Sequence, residues 1–375
     1  MPLINSLGTI SGRSFGLFGG GGSTIAFNGF NTPGLMNGST TAAIMYSVTC
    51  NSSGLFVAVG YSATLGGAVY ATSTDGATWT TPALMNGVAN GCSMSAVTCN
   101  SSGLFVAIGS GSGNSVYSTS SNGSSWSTPA AMNGSNTVAV NNWGITVNSS
   151  GLFVGVGIST GGSTPANSPV YATSSNGSTW TTPAAMNGSS TYAKMTSVTV
   201  NSSGLFVAVG YTLGGNPLYA TSSNGSTWIT PARMSAGGTL TNMSSVAVNS
   251  SGLFVAVGPG GSFQNIPYYS TSSNGSTWST PAAMNGTSVA GQMTTIAVNR
   301  SDLFVAAGWG YSAGSSAVYA SSNNGSTWTT PASVAAAATN PIIYGLGVSA
   351  VGLFVAVGAA QASGVINAPV YMQAN

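Results

Sequence analysis

The chain has 375 residues, of which four are Lys or Arg and two are Asp or Glu; His and Glu are absent. Charged residues make up 2% of it, against about 25% in an ordinary soluble protein, so no basic patch is present to neutralise nucleic-acid phosphates or hold an anionic membrane surface. The absence of Glu and His excludes Ser-His-Asp chemistry, His-ligated metal sites and the usual acid/base pair of a glycosidase, and no cofactor is expected.

In chain order, residues 1–22 form an arm that ends in four glycines, Gly19–Gly22, a flexible composition. Its apolar residues Leu3, Ile4, Leu7, Ile10, Phe15, Leu17 and Phe18 suit docking on a neighbouring copy of the chain. The arm lacks a charged region followed by an apolar core, so it does not read as a secretory leader. Apolar runs are about six residues long throughout, far short of the roughly 18–20 needed to span a bilayer, and no membrane insertion is expected.

The rest, 23–375, is one repeat. The Phe of a GLFVAVG-like segment falls at 56, 105, 153, 206, 254, 304 and 354, seven copies about 50 residues apart, a period typical of one four-stranded propeller blade per repeat. The expected fold is therefore all-β, a seven-bladed β-propeller with four antiparallel strands per blade. Phe30-Asn-Thr-Pro-Gly-Leu-Met-Asn-Gly38 matches Trp79-Thr-Thr-Pro-Ala-Leu-Met-Asn-Gly87 with Phe in place of Trp. The chain thus opens with the last quarter of a repeat and ends with a repeat that lacks it. Residues 23–38 are expected to complete the last blade and close the ring.

In the copy around Phe206 the pattern predicts strand a at Met195–Val200 and strand b at Leu205–Val209, the latter apolar at consecutive positions as in strands covered on both faces. Strand c is expected at Leu218–Ser223, then a tight turn at Asn224-Gly225, then strand d at Ser226–Thr230. Pro33, Pro82, Pro129, Pro183, Pro231, Pro281 and Pro331 follow the d strands, which suits an edge position. The short a–b and c–d turns then share one face, and the long b–c and d–a loops share the other, where binding is expected.

The c–d corner reads Ser73-Thr-Asp75-Gly-Ala-Thr-Trp79 in the first copy and Ser-Ser-Asn-Gly-Ser-Thr-Trp in later ones, ending at Trp180, Trp228 and Trp278, with variants at Trp126 and Trp328. It resembles the Asp-box (BNR) repeat of sialidase-like β-propellers, Ser-x-Asp-x-Gly-x-Thr-Trp, over residues 23–375. The box here is one residue short, and Asp is Asn in all but the first copy. The resemblance implies that the six Trp are structural wedges between blades. It also implies, for a catalytic member, an arginine cluster, a Tyr–Glu pair and an Asp acid/base, and none of these carries over. Arg13 lies in the arm, Arg233 in a d–a loop and Arg300 at an a–b turn; Asp75 and Asp302 sit in separate turns. A non-catalytic member is expected.

Cys50 and Cys99 fill a slot held by Val in other copies, and Cys92 has no metal-ligand spacing; all three read as small buried residues, with a disulfide left open. Asn-x-Ser/Thr occurs sixteen times. Candidate glycosylation sites are Asn51, Asn100, Asn148, Asn201 and Asn249 in a–b turns, and Asn122, Asn176, Asn224, Asn274 and Asn324 in corners. Each also suits a turn in its own right, but a surface almost free of charge calls for something else to keep molecules apart. Tyr61, Tyr211 and Trp309 open the b–c loop and are candidate ligand aromatics, whereas Trp143 aligns with Tyr46 and Tyr344 on strand a, a channel-lining position. Two functions follow as expectations. The first is a structural building block of an extracellular or virion assembly, self-associating through the arm. The second is a carbohydrate- or receptor-binding propeller using the long-loop face.

Overall fold

A computed structural model describes residues 27–374 apart from 37–41, 88–90, 112, 133–137, 163–165, 188–191, 235–240, 261–265, 285–290, 311–315, 335–340 and 363–364. The arm at 1–22, with Arg13, lies outside the described residues.

The strands, β1 to β28 in chain order, form seven antiparallel four-stranded sheets. Blade 4 is representative: Ala193–Val200 pairs with Phe206–Thr212, that strand with Pro217–Ser222, and that with Ala232–Arg233. The first strands of successive blades touch all the way round, and blade 7 meets blade 1. The sheets therefore close into a ring with strand a at the axis, a seven-bladed β-propeller, and no α-helix occurs among the described residues.

The last blade is built from both ends of the chain. Strands β26 (Ile342–Val348), β27 (Phe354–Ala362) and β28 (Val365–Gln373) are followed outward by β1 (Gly34–Leu35), with Gly34 opposite Tyr371 and Leu35 opposite Val370. Asn31 N–H and Met36 N–H donate to Gln373 C=O and Pro369 C=O, and Phe30 bridges to Ala374.

The core is seven layers between blades. One joins Val48, Phe56 and Trp79 of blade 1 to Val355 and Val357 of blade 7. The same pairing of a blade with the one before it recurs in the other six. The run of apolar residues in strand b exists because both of its faces are covered: Phe206, Val207, Ala208 and Val209 are all buried. Each layer has an aromatic pair, the corner Trp of one blade with a strand c Tyr of the preceding blade, such as Trp126 with Tyr70 and Trp79 with Tyr371. In the last layer Phe30 takes the Trp place against Tyr319.

The corner departs from the sequence expectation. No strand occupies 226–230, and the outer strand is only Ala232–Arg233, beyond Pro231. Side chains have taken the amides a tight hairpin needs. Asn224 Oδ1 accepts the Ser226 and Thr227 N–H groups at 2.9 and 2.7 Å, and Ser222 Oγ accepts the Gly225 N–H at 2.9 Å. The Trp228 indole N–H donates to Gly225 C=O, which aims the ring inward. One rung, Ile229 N–H to Thr221 C=O, remains before the chain turns outward. Gly225, at φ +74, lies where a Cβ would meet Val154 at 2.7 Å, so the corner also needs a glycine for close approach to the neighbouring blade.

Candidate functional site

The axial channel is shaped by a bulge that recurs in strand a. Register shifts fall between Met45 and Ser47, Met94 and Ala96, Met195 and Ser197, Met293 and Thr295, and Ile343 and Gly345. The extra residue in each case, Tyr46, Ser95, Thr196, Thr294 and Tyr344, lines the channel, as a bulge re-aims a side chain out of the pleat. Blade 3 shifts between Asn141 and Gly144 and places Trp143 there; blade 5 contributes Ser244. Opposite each bulge strand b comes so close that only glycine fits: a Cβ at Gly60, Gly210 or Gly358 would lie 1.8–1.9 Å from the carbonyl oxygen of Ile44, Lys194 or Ile342. The last Gly of GLFVAVG thus serves the axial row.

The cavity is about 440 Å³ at its wide end on the long-loop face, where Ser93, Ser110 and Lys194 join the row. It narrows to about 100 Å³ among Ser47, Ala96, Gly144, Ser197 and Gly345. Tyr46 and Tyr344 meet edge to face with ring centroids 5.6 Å apart. Burial raises both phenol pKa values, for Tyr46 with added contributions from Tyr344 and Tyr61, so both present a neutral hydroxyl. Thr196 and Thr294 face the axis but donate to the next blade, to Met243 C=O at 2.8 Å and Ile343 C=O at 2.7 Å. The Lys194 ammonium lies 4.6 Å from the centre of the Tyr211 ring, a cation–π distance.

Trp143 is 3% exposed, and its indole N–H has no partner among the described residues. Its ring occupies room cleared by Gly155, where a Cβ would stand 3.2 Å from the ring and 2.9 Å from Ile108. Other blades have Ala at that position, as at Ala58 and Ala208. Trp143 and Gly155 depart from the repeat together, and that paired change is visible in the sequence.

Tyr61, Tyr211 and Trp309 are not loop residues. They sit inside strand b, opposite Ile44, Lys194 and Gln292, and are half-buried. The extended b–c hairpin keeps these positions in the ladder, and the axial cavity is lined instead by Tyr46, Trp143 and Tyr344.

Arg300 and Asp302 share one a–b turn, and the other charged groups of the described residues lie in other blades. Asp75 Oδ1 accepts the Ser73 hydroxyl and the Ala77 and Thr78 N–H groups at 2.9, 2.8 and 2.7 Å. These bonds, Thr78 N–H foremost, lower its pKa to about 2. Asp302, at φ +60 in a turn that has Gly in most blades, accepts from Ser250 N–H and Oγ at 2.9 and 2.7 Å. Arg300 donates to Ala350 C=O at 2.6 Å, and Arg233 is exposed on the outer strand. Cys50, Cys92 and Cys99 are buried, and burial pushes the Cys50 and Cys99 thiols up to about 12.

The six corner Trp, Trp79, Trp126, Trp180, Trp228, Trp278 and Trp328, are buried between blades. The candidate asparagines form two rings on the short-turn face. An inner ring of a–b turns holds Asn51, Asn100, Asn148, Asn201 and Asn249, half-buried; an outer ring of corners holds Asn122, Asn176, Asn224, Asn274 and Asn324, exposed. Asn299 is only 2% exposed.

No protein-family model matches the chain, and no curated protein matches it in sequence. Solved structures of the same architecture do. A lectin of Burkholderia pseudomallei is 11% identical with a TM-score of 0.61, over 88% of this chain and 95% of its own. A Dyadobacter fermentans protein of unknown function is 11% identical with a TM-score of 0.57, over 93% and 98%. The NanB sialidase of Streptococcus pneumoniae is 13% identical with a TM-score of 0.50, over 93% and 71%. The likeness establishes the fold alone. The propeller scaffold is shared.

Proposed function

We infer that this protein is a non-enzymatic structural and interaction propeller, a building block of an extracellular or virion assembly such as a filament, fibre or surface appendage. The observation that carries this reading is the use made of its charges. Asp75 caps its corner, Asp302 ties two turns together, Arg300 holds a neighbouring carbonyl and Lys194 lies over Tyr211. Arg300 and Asp302 share the a–b turn of blade 6, where they bind Ala350 and Ser250, and Asp75 and Lys194 lie in other blades, so no acid lines the axial cavity beside Lys194. A wheel with so neutral an exterior suits close packing against copies of itself, with residues 1–22 as the docking arm. Electron microscopy of native material tests it: polymers or regular arrays are expected, and a uniform field of single discs overturns it. Removal of residues 1–22 should dissolve the polymers; unchanged polymers would assign assembly to the ring itself.

A second reading draws on the axial cavity: a neutral saccharide stacked on Tyr46 and Tyr344, beside Trp143. Aromatic faces and phenol hydroxyls suit a hydroxyl-rich ring, and a lectin and a sialidase share the scaffold. Titration of tryptophan fluorescence with neutral oligosaccharides tests it. Saturable quenching lost in Tyr344→Ala supports it, and no binding at millimolar sugar removes it.

A further inference from the structure

The outer ring holds five amide nitrogens that the fold does not need. In each corner the work is done by the side-chain oxygen. Asn224 Oδ1 accepts Ser222 Oγ at 3.1 Å and the Ser226 and Thr227 N–H groups at 2.9 and 2.7 Å. Its Nδ2 donates only a long bond to Thr227 Oγ1 at 3.3 Å, and the same donor–acceptor distance is 3.3–3.5 Å in the other four corners.

Blade 1 is the built-in control. Asp75 has no amide nitrogen, yet its Oδ1 takes the same three donors at 2.9, 2.8 and 2.7 Å. The Trp79 indole still donates to Gly76 C=O at 3.0 Å. A carboxylate is the stronger acceptor here, as its pKa of about 2 records. Folding alone therefore favours Asp at a corner. Asn at five corners keeps a nitrogen that is exposed, nearly unbonded and followed two residues later by an exposed Ser. That pattern is the acceptor of N-linked sugar.

We propose that the outer ring, Asn122, Asn176, Asn224, Asn274 and Asn324, carries covalent N-linked glycan on the short-turn face. Nδ2 attacks C1 of an activated sugar, a polyprenyl or nucleotide diphosphate sugar. The N–C1 bond forms and the C1–O bond to the diphosphate breaks. The diphosphate leaves with the bonding electrons, and the amide gives up one proton. The remaining N–H keeps the long bond to the Thr227 hydroxyl or its counterpart, and Oδ1 keeps its two backbone donors and its hydroxyl donors, so the corner holds its shape with sugar attached. Asn299 meets the same sequence rule but is buried and stays bare; the Asp75 corner has no acceptor. The proposal stands apart from the assembly reading, since discs or polymers alike can carry sugar.

Two experiments decide it. In native material, peptides cut with thermolysin (four Lys or Arg give trypsin too few sites) are fragmented by electron transfer. Hexose or N-acetylhexosamine mass on outer-ring asparagines, with Asn299 unmodified, is expected. An intact mass equal to the bare chain overturns the proposal, as does sugar confined to the inner ring or to Ser and Thr. In bare recombinant protein, Asn224→Asp should leave the urea midpoint at pH 7 unchanged or raised. A lowered midpoint would show that the nitrogen serves the fold, and would overturn the premise.

Discussion

Replacement of Phe30 by Ala tests how the ring is closed. Phe30 is 6% exposed, and its ring lies 5.3 Å from Phe27 and 5.6 Å from Tyr319, both edge to face. Burying Phe and leaving a hole on truncation gives about 3–5 kcal/mol, a figure that already contains much of the roughly 0.5–1.5 kcal/mol carried by each aromatic pair. Met36, fully buried six residues later, lies in the layer on the opposite flank of blade 7, so the segment 30–36 grips that blade from both sides. Met36→Ala should cost about 2–5 kcal/mol, while Leu35→Ala, at a side chain 43% exposed, should cost less than about 0.5 kcal/mol. The assay is urea unfolding combined with hydrogen exchange of the β28 amides. In Phe30→Ala those amides should exchange well before the amides of Pro217–Ser222 in blade 4, because blade 7 alone has an outer strand held from the far end of the chain. A loss below about 1 kcal/mol, with blade 7 as protected as blade 4, would refute closure by this segment.

Gly155→Ala should cost about 1–3 kcal/mol by overpacking Ile108 and the Trp143 ring. Adding Trp143→Thr should recover most of the loss, and a thermal-denaturation cycle that is additive would refute the coupling. Gly60→Ala, whose Cβ would stand 1.8 Å from the Ile44 carbonyl oxygen, should cost about 3 kcal/mol or more and, read by fluorescence, change the environment of Tyr46. At Asp302, φ +60, Ala should be less stable than Gly by about 1 kcal/mol, because both lose the bonds to Ser250 and only Ala keeps the backbone strain. Asp75, whose pKa falls from 3.8 to about 2 on folding, contributes stability that is present above about pH 4 and lost as pH falls through 2. The carboxylate is largely solvated, so screening limits this to about 1 kcal/mol or less. The urea-midpoint gap between the protein and Asp75→Asn should shrink from pH 7 to pH 2.

The blade count and the closure of the ring were legible because both rest on spacing. Seven Phe at even intervals, and a Phe30–Gly38 segment that duplicates Trp79–Gly87, survive any local error about strands. The outer strand was misplaced because Asn-Gly followed by Ser-Thr-Trp-Ile-Thr has the composition of both a tight hairpin and a side-chain-capped corner. Only the bonds to Asn224 Oδ1 and Ser222 Oγ separate the two. The axial row was hidden for a related reason. A bulge inserts one residue without disturbing the apolar pattern on either side, so Met45-Tyr46-Ser47-Val48 reads as an ordinary strand.

The contrast between corner and axis follows from how the ring is made. Six corners press a Trp into the blade before them and Phe30 does the same for blade 7, and these seven wedges must subtend nearly equal angles or the circle does not meet. That demand holds Ser, Asn or Asp, Gly and Trp in place at six corners. The axial residues carry less of that angular load, although Trp143 is buried in the layer between blades 2 and 3 and Thr196 and Thr294 bond the next blade, and they differ: Tyr, Ser, Trp, Thr, Ser, Thr and Tyr from blade 1 to blade 7. The outcome is a two-sided cavity, with Tyr344, Tyr46 and Trp143 on one arc and Thr196, Ser244 and Thr294 on the other. An apolar arc facing a hydroxyl arc orients any ring-shaped guest that has one bare face and one rim of hydroxyls. Tyr344→Thr would make the arcs more alike and should weaken such binding without loosening the wheel, whereas Trp228→Ala should cost about 3–5 kcal/mol of stability and leave the axial row in place.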